Sequence, residues 1–237
     1  MKQKFAVFDI DGTVIRWQLY HAIVNELIHF GALSEQVGND IKEARMTWKK
    51  REYSESFRAY EKVLVQAYHD GFANLKVEDF NRAVDAVFGE YKDQVYTYSR
   101  NMIRDLKEQG YCLLAISGSQ QEIIIKLAEY YGFDDAIGQV YEQKEGRFTG
   151  KHTAPMHHKD VVLQKLIAKH NLTIGGSIAV GDSEGDIPML AMVEQPIAFN
   201  PSKGLFEEAK KQGWKVVIER KNVTYEIEPR DGSYVLA

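Results

Sequence analysis

Lys2, Gln3 and Lys4 are polar; Phe5 to Phe8 are apolar, and Asp9-Ile10-Asp11-Gly12-Thr13 follows at once. A short apolar run stopped by Gly predicts a buried strand and a turn. Side chains alternate across a strand, so Asp9 and Asp11 are expected to leave its end on the same side. Helical spacing then takes over. Leu19, Ile23, Val24 and Leu27 share one face, Phe57, Tyr60, Val63, Leu64 and Ala67 a second, and Phe80, Ala83, Val84, Val87, Phe88 and Tyr91 a third. Residues 16–93 therefore read as a run of about four helices without a good strand.

Beyond residue 93 helices and strands alternate. The spacing predicts a helix over 97–110 closed by Gly110, a buried strand over 111–119, a helix over 120–132 closed by Gly132, and a hairpin turning at Gly146. Then come a helix over 158–171, a strand over 177–183, a short strand over 196–200, a helix over 204–213 and a strand over 214–219. The tail 223–237 reads equally as a second hairpin or as a loose extension. Such alternation argues for right-handed crossovers and a parallel sheet covered on both faces. The expected fold is α/β, a core of residues 1–15 and 94–237 with a helical insertion at 16–93.

Composition narrows the function classes. A chain of 237 residues with 44% hydrophobic content buries a full core. The formal charge of -4 and the absence of a lysine run argue against nucleic acid or an anionic membrane as partner. No apolar stretch approaches the roughly 20 residues that span a bilayer. The single Cys112 cannot form an internal disulfide and no secretory signal is evident, so a cytoplasmic location is expected. Accordingly, the glycosylation patterns at Asn171 and Asn222 read as chance.

Three strand ends carry the chemistry: Asp9-Ile-Asp11, Ser117-Gly118-Ser119 and Gly181-Asp182-Ser-Glu-Gly-Asp186. Ligands in parallel sheets collect beyond the carboxyl ends of strands, so these three clusters point to one site. Four carboxylates without supporting cysteines suit a hard, oxygen-seeking cation such as Mg2+, which shares its ligands with a phosphate. Ser117 and the amides at the following helix start suit phosphate oxygens. Lys159, opening the next helix, is the candidate counter-charge.

These motifs, in this order, resemble the haloacid dehalogenase (HAD) superfamily, and in detail its phosphoserine-phosphatase-like branch, over nearly all of the chain to about residue 219. Lys159 precedes Asp182 by 23 residues, with one helix and one strand between, as in that branch. The resemblance implies a three-layer Rossmann-like core with an inserted helical cap acting as a lid. It implies a magnesium-dependent phosphatase acting on a small phosphorylated metabolite: Asp9 attacks phosphorus to form an aspartyl-phosphate, and Asp11 protonates the leaving oxygen and then activates water. It further implies metal ligation by the Asp9 and Asp182 carboxylates and the Asp11 carbonyl, with Asp186 ordering the metal's waters or Lys159. Ser117, the Gly118 amide and Lys159 would hold the transferring oxygens. An acid at Asp11 favours phosphate esters over carbon-halogen bonds. A phosphotransferase using the same intermediate, or a catalytically silent phospholigand binder, would share the pocket.

The branch's phosphoserine enzymes carry a cap glutamate nine residues after the nucleophile and a cap arginine. Here Gln18 and Tyr60 stand at those places. Gln18 lacks the charge that attracts an amine, so phosphoserine is not expected to be the preferred substrate. Arg16 and Gln18, with Tyr60, are the expected selectivity positions; Arg16 would reach an anionic group, and Trp17 would stack or pack. His152, His157 and His158 read as solvated loop residues, and Cys112 as an inert core thiol.

Overall fold

The computed structural model describes residues 2–50, 53, 56–73, 75–153, 158–221, 223–230 and 233–236, without the side chains of 35, 57, 58, 61 and 67–70. His157, Asn222 and the side chains of Phe57 and Ala67 lie outside the described residues. The chain divides into two compact units. The first comprises Met1–Gln18, Tyr91–Gln139 and Ala154–Ala237, and the second Leu19–Glu90 and Val140–Thr153.

In the first unit, β1 (Gln3–Phe8) lies between β2 (Cys112–Gln120) and β5 (Leu172–Gly181), parallel to both. β3 (Asp135–Lys144) pairs beyond β2, while β6 (Gln195–Phe199) and β7 (Lys215–Arg220) continue in parallel beyond β5. The connections carry α5 (Thr97–Glu108), α6 (Gln121–Tyr131), α7 (Lys159–Lys169), α8 (Ile187–Leu190) and α9 (Lys203–Gln212). Phe5, Ala6, Val7 and Phe8 are fully buried, as a central strand covered on both faces requires. Removing the Phe5, Val7 and Phe8 side chains from water stabilises the fold by roughly 1.5–3 kcal/mol each. Gly132 and Gly213 end α6 and α9 in the left-handed conformation, with φ of 74° and 68°.

One strand extends beyond its expected bounds, and the ambiguous tail is a hairpin. β5 starts at Leu172 rather than Ser177, because Leu172 and Thr173 pair with Gln3 and Lys4 before an irregularity shifts the register. The tail forms β8 (Val223–Arg230) and β9 (Ser233–Leu236), antiparallel strands added to the β7 edge. Tyr234 secures the hairpin by donating its hydroxyl to the carbonyls of Ala209 and Trp214.

The second unit contains α1 (Leu19–His29), α2 (Glu35–Lys50), α3 (Ser56–Phe72) and α4 (Val77–Tyr91). It also takes the hairpin made by Val140–Lys144 of β3 and β4 (Arg147–Thr153), which turns at Gly146 as the sequence predicts. Tyr141 and Phe148 pack on Phe72, and Phe148 also meets Phe80 edge to face at 5.1 Å. A hairpin's own pattern does not say which aromatic cluster will receive it.

Candidate active site

Asp9 continues β1 and is anchored by donating its amide to the Val180 carbonyl at 2.9 Å. The turn that follows is fastened at Ile10, whose carbonyl accepts the amides of Thr13, Val14 and Ile15. Gly12 is required there twice over: its φ is 82°, and an added Cβ would collide with the Asp182 carboxylate. Asp182 thus stands directly against the turn between Asp11 and Thr13.

Lys159 is the first residue of α7 and is almost fully buried. Its Nζ donates to Asp9 Oδ1 and to Asp186 Oδ1, each at 2.6 Å. Asp186 is itself fully buried, and its Oδ2 accepts from the amides of Asp182 and Ser183 and from the Ser183 hydroxyl at 3.0–3.1 Å. Asp186 therefore pins the loop that presents Asp182 while orienting the lysine. Gly181 permits this, because a Cβ there would overlap the Asp186 side chain.

Ligand oxygens of Asp9, Asp182 and Asp186 all lie within 4.8 Å of one another. The Asp11 carboxylate is used differently, accepting the Ser117 hydroxyl at 2.8 Å, while Ser117 Oγ accepts the Ser119 amide at 3.0 Å. Crowding has an electrostatic consequence. Burial raises the Asp9 carboxyl against the pull of Lys159, and with Asp186 and Asp11 adding to the rise it reaches about 7. Burial, Asp9 and Asp186 likewise hold Asp182 well above the usual carboxylate range. Burial alone would lower the Lys159 ammonium, but Asp186 and Asp9 outweigh it and raise it. One ammonium does not balance this many carboxylates, so an all-oxygen donor set with spare negative charge fits a hard divalent cation.

Arg16 is exposed, and Trp17 and Gln18 are half-buried, all three in the first unit. Tyr60 belongs to the second unit and is 2% exposed. Its hydroxyl pairs with His21 Nδ1 at 3.1 Å, and its ring stacks on Trp48 with centroids 5.4 Å apart. Within that unit Tyr60 also borders a groove of about 370 Å³ with Asp40, Glu43, Tyr53 and Ser56. Sequence reasoning missed His21 and Tyr96. His21 sits on the apolar face of α1, where nothing in the pattern marks it, and Tyr96 gains its neighbours from segments distant in the chain, at Val14, Arg16 and Phe199. His152 and His158 are exposed. Cys112 is free and buried, and burial pushes its thiol up to about 11.

Residues 6–191 match the haloacid dehalogenase-like hydrolase family. The chain is 25% identical over 230 residues to a histidinol-phosphatase of Neisseria meningitidis, covering 91% of this chain and 98% of that protein. It is 24% identical over 211 residues to a phosphoserine phosphatase of Methanocaldococcus jannaschii, with coverage of 88% and 90%. A solved structure of a phospho-aspartyl intermediate analogue of phosphoserine phosphatase shares the fold, with a TM-score of 0.63, 23% identity and coverage of 93% and 95%. With a parallel sheet that gathers these carboxylates at its strand ends, the chain belongs to the haloacid dehalogenase-like hydrolases, in their phosphoserine-phosphatase-like branch.

Proposed function

We propose that this phosphoric monoester hydrolase works through an aspartyl-phosphate on Asp9, with Mg2+ held by Asp9, Asp182 and the Asp11 carbonyl, and with Asp186 close by. The observation that carries the reading is Lys159 bridging Asp9 and Asp186 beside Asp182. When bound, the ion neutralises charge on the transferring phosphoryl group. Lys159 orients the Asp9 carboxylate and offers a fixed positive charge to the equatorial oxygens. The Ser117 hydroxyl donates to Asp11 in the absence of substrate and turns to another phosphoryl oxygen, with the Gly118 amide, when substrate binds. Asp11 gives a proton to the leaving alcohol and takes one from the water that cleaves the Asp9 ester, so one carboxyl serves both half-reactions.

The helical unit serves as the cap that selects the leaving group, and Gln18 and Tyr60 are the proposed selectivity positions beside Arg16. Without a carboxylate at Gln18 to pair with an amine, the preferred substrate is a small phosphorylated metabolite other than phosphoserine. Release of inorganic phosphate from p-nitrophenyl phosphate tests the reaction class: it should require Mg2+, stop with EDTA and vanish in Asp9→Asn. Turnover surviving both treatments overturns the mechanism. A kcat/KM for phosphoserine above that for other small phosphomonoesters overturns the substrate reading.

A further inference from the structure

Arg16 follows directly on the turn that carries Asp9 and Asp11 and takes no part in the chemical steps of that mechanism. Gly12, pressed on Asp182, donates its amide to the Ile15 carbonyl at 2.9 Å, and Asp11 forms a backbone bridge with Ile15. Arg16 is the next residue. Its position is held by a short pairing of chain segments: the Arg16 amide donates to the Gln94 carbonyl at 2.8 Å, and the Tyr96 amide to the Val14 carbonyl at 3.0 Å. The guanidinium lies over the Tyr96 ring, 5.4 Å from its centroid.

Tyr96 is itself fixed. Its ring meets Phe199 edge to face at 4.9 Å, and its hydroxyl is hydrogen-bonded by the Asn200 side chain. The next two amides, of Thr97 and Tyr98, donate to the Glu219 carboxylate at 3.1 and 2.8 Å, and the Glu219 amide donates to Asn200 Oδ1 at 2.9 Å. Burial raises the Tyr96 phenol, Arg16 opposes that and Asp182 adds to it, so one ring lies within electrostatic reach of both charges. The contact with Tyr96 uses the face of the guanidinium and leaves its in-plane donors available, because the Arg16 side chain makes no hydrogen bond or ion pair with a described residue.

We propose that Arg16, steadied by Tyr96, is a specificity-determining residue that receives a second anionic group of the substrate, a carboxylate or a second phosphate. The proposal rests on the phosphatase reading and extends it to a substrate class. The reacting phosphate already has the buried Lys159 and Ser117. An exposed guanidinium one residue beyond the turn suits a different anion on the same molecule, and its fork matches carboxylate or phosphate oxygens in pairs.

Competition against p-nitrophenyl phosphate hydrolysis tests this, because any phosphomonoester that enters the site inhibits whether or not it turns over. One pair of probes is 3-phosphoglycerate and glycerol 3-phosphate, which differ in a carboxylate. The other is fructose 1,6-bisphosphate and fructose 6-phosphate, which differ in a phosphate. In at least one pair the more anionic member is expected to show a Ki about tenfold lower or better, the strength of one charged hydrogen-bonded contact. The arm with the larger ratio identifies the anion. Arg16→Ala should bring that ratio to about one and Arg16→Lys should restore part of it. Tyr96→Leu should reduce it, whereas Tyr96→Phe, which keeps the ring, should retain it. Ratios near one in both arms of the wild type, or a ratio that Arg16→Ala leaves intact, overturn the proposal alone. Failure to hydrolyse p-nitrophenyl phosphate at all overturns the phosphatase reading instead.

Discussion

The ammonium of Lys159 lies 2.6 Å from Oδ1 of Asp9, although 150 residues separate the two in the chain. Both groups are nearly inaccessible to water, and Asp186 takes the same ammonium at the same distance. Removing the lysine leaves two buried carboxylates without their cation, a loss of about 3–5 kcal/mol for a broken buried pair. Urea unfolding of metal-free Lys159→Met at pH 8 is expected to show a deficit of this order. At pH 5.5 the deficit should shrink, because Asp9 and Asp182, already raised, take up protons. The variant's kcat/KM should fall by about 10²–10³. Equal deficits at both pH values would contradict the electrostatic account of this cluster.

Metal affinity should depend on pH in a direction set by Asp9. Its carboxyl rises to about 7 in the metal-free protein, so below that pH a proton competes with a cation for the same oxygens. Calorimetric titration with Mg2+ is expected to show apparent affinity weakening as pH falls below 7, by about tenfold per pH unit for each of Asp9 and Asp182 that takes up a proton. Asp182→Asn should weaken binding at every pH. An affinity unchanged between pH 5.5 and 8 would mean that Asp9 is not a ligand.

The helical unit holds a titration of opposite sense. Burial, with the nearby Arg45 charge, lowers His21 from 6.5 to about 4. The folded protein keeps this ring neutral, paired with the Tyr60 hydroxyl, while the unfolded chain protonates it below 6.5. Its stabilising contribution is therefore complete above pH 6.5 and is lost as pH falls towards 4, by roughly 3 kcal/mol in all. His21→Phe should be less stable than wild type at pH 7.5, and the gap should close or reverse by pH 4.5. Parallel stability curves for the two proteins would show that His21 does not titrate in this way.

The site was more legible in the sequence than the surroundings that select a substrate. Asp9, Ser117 and Asp182 each follow an apolar strand, and Lys159 opens a helix between two of them, so local pattern and parallel topology bring them together. The Tyr60, His21 and Trp48 cluster depends on how three helices pack, which periodicity does not specify. The tail was ambiguous for another reason: Thr224, Glu226 and Glu228 alternate with Val223, Tyr225 and Ile227, but Pro229 and the Asp-Gly pair at 231–232 interrupt the pattern. Pairing of β8 with the open edge of β7 decides it. Arg16 and Tyr96 meet because the segments around residues 15 and 95 pair, a contact made across the whole helical insertion.

The most direct test of the central claim is to trap the covalent intermediate. Asp11→Asn should slow the second displacement, since the carboxylate that activates water is gone. Acid-quenched Asp11→Asn taken from turnover with Mg2+ and p-nitrophenyl phosphate, whose leaving group needs no proton from Asp11, then reduced with borohydride and mapped by mass spectrometry, is expected to carry homoserine at position 9. Reduction at any other residue, or no reduced residue while phosphate is still released, would contradict Asp9 as the nucleophile.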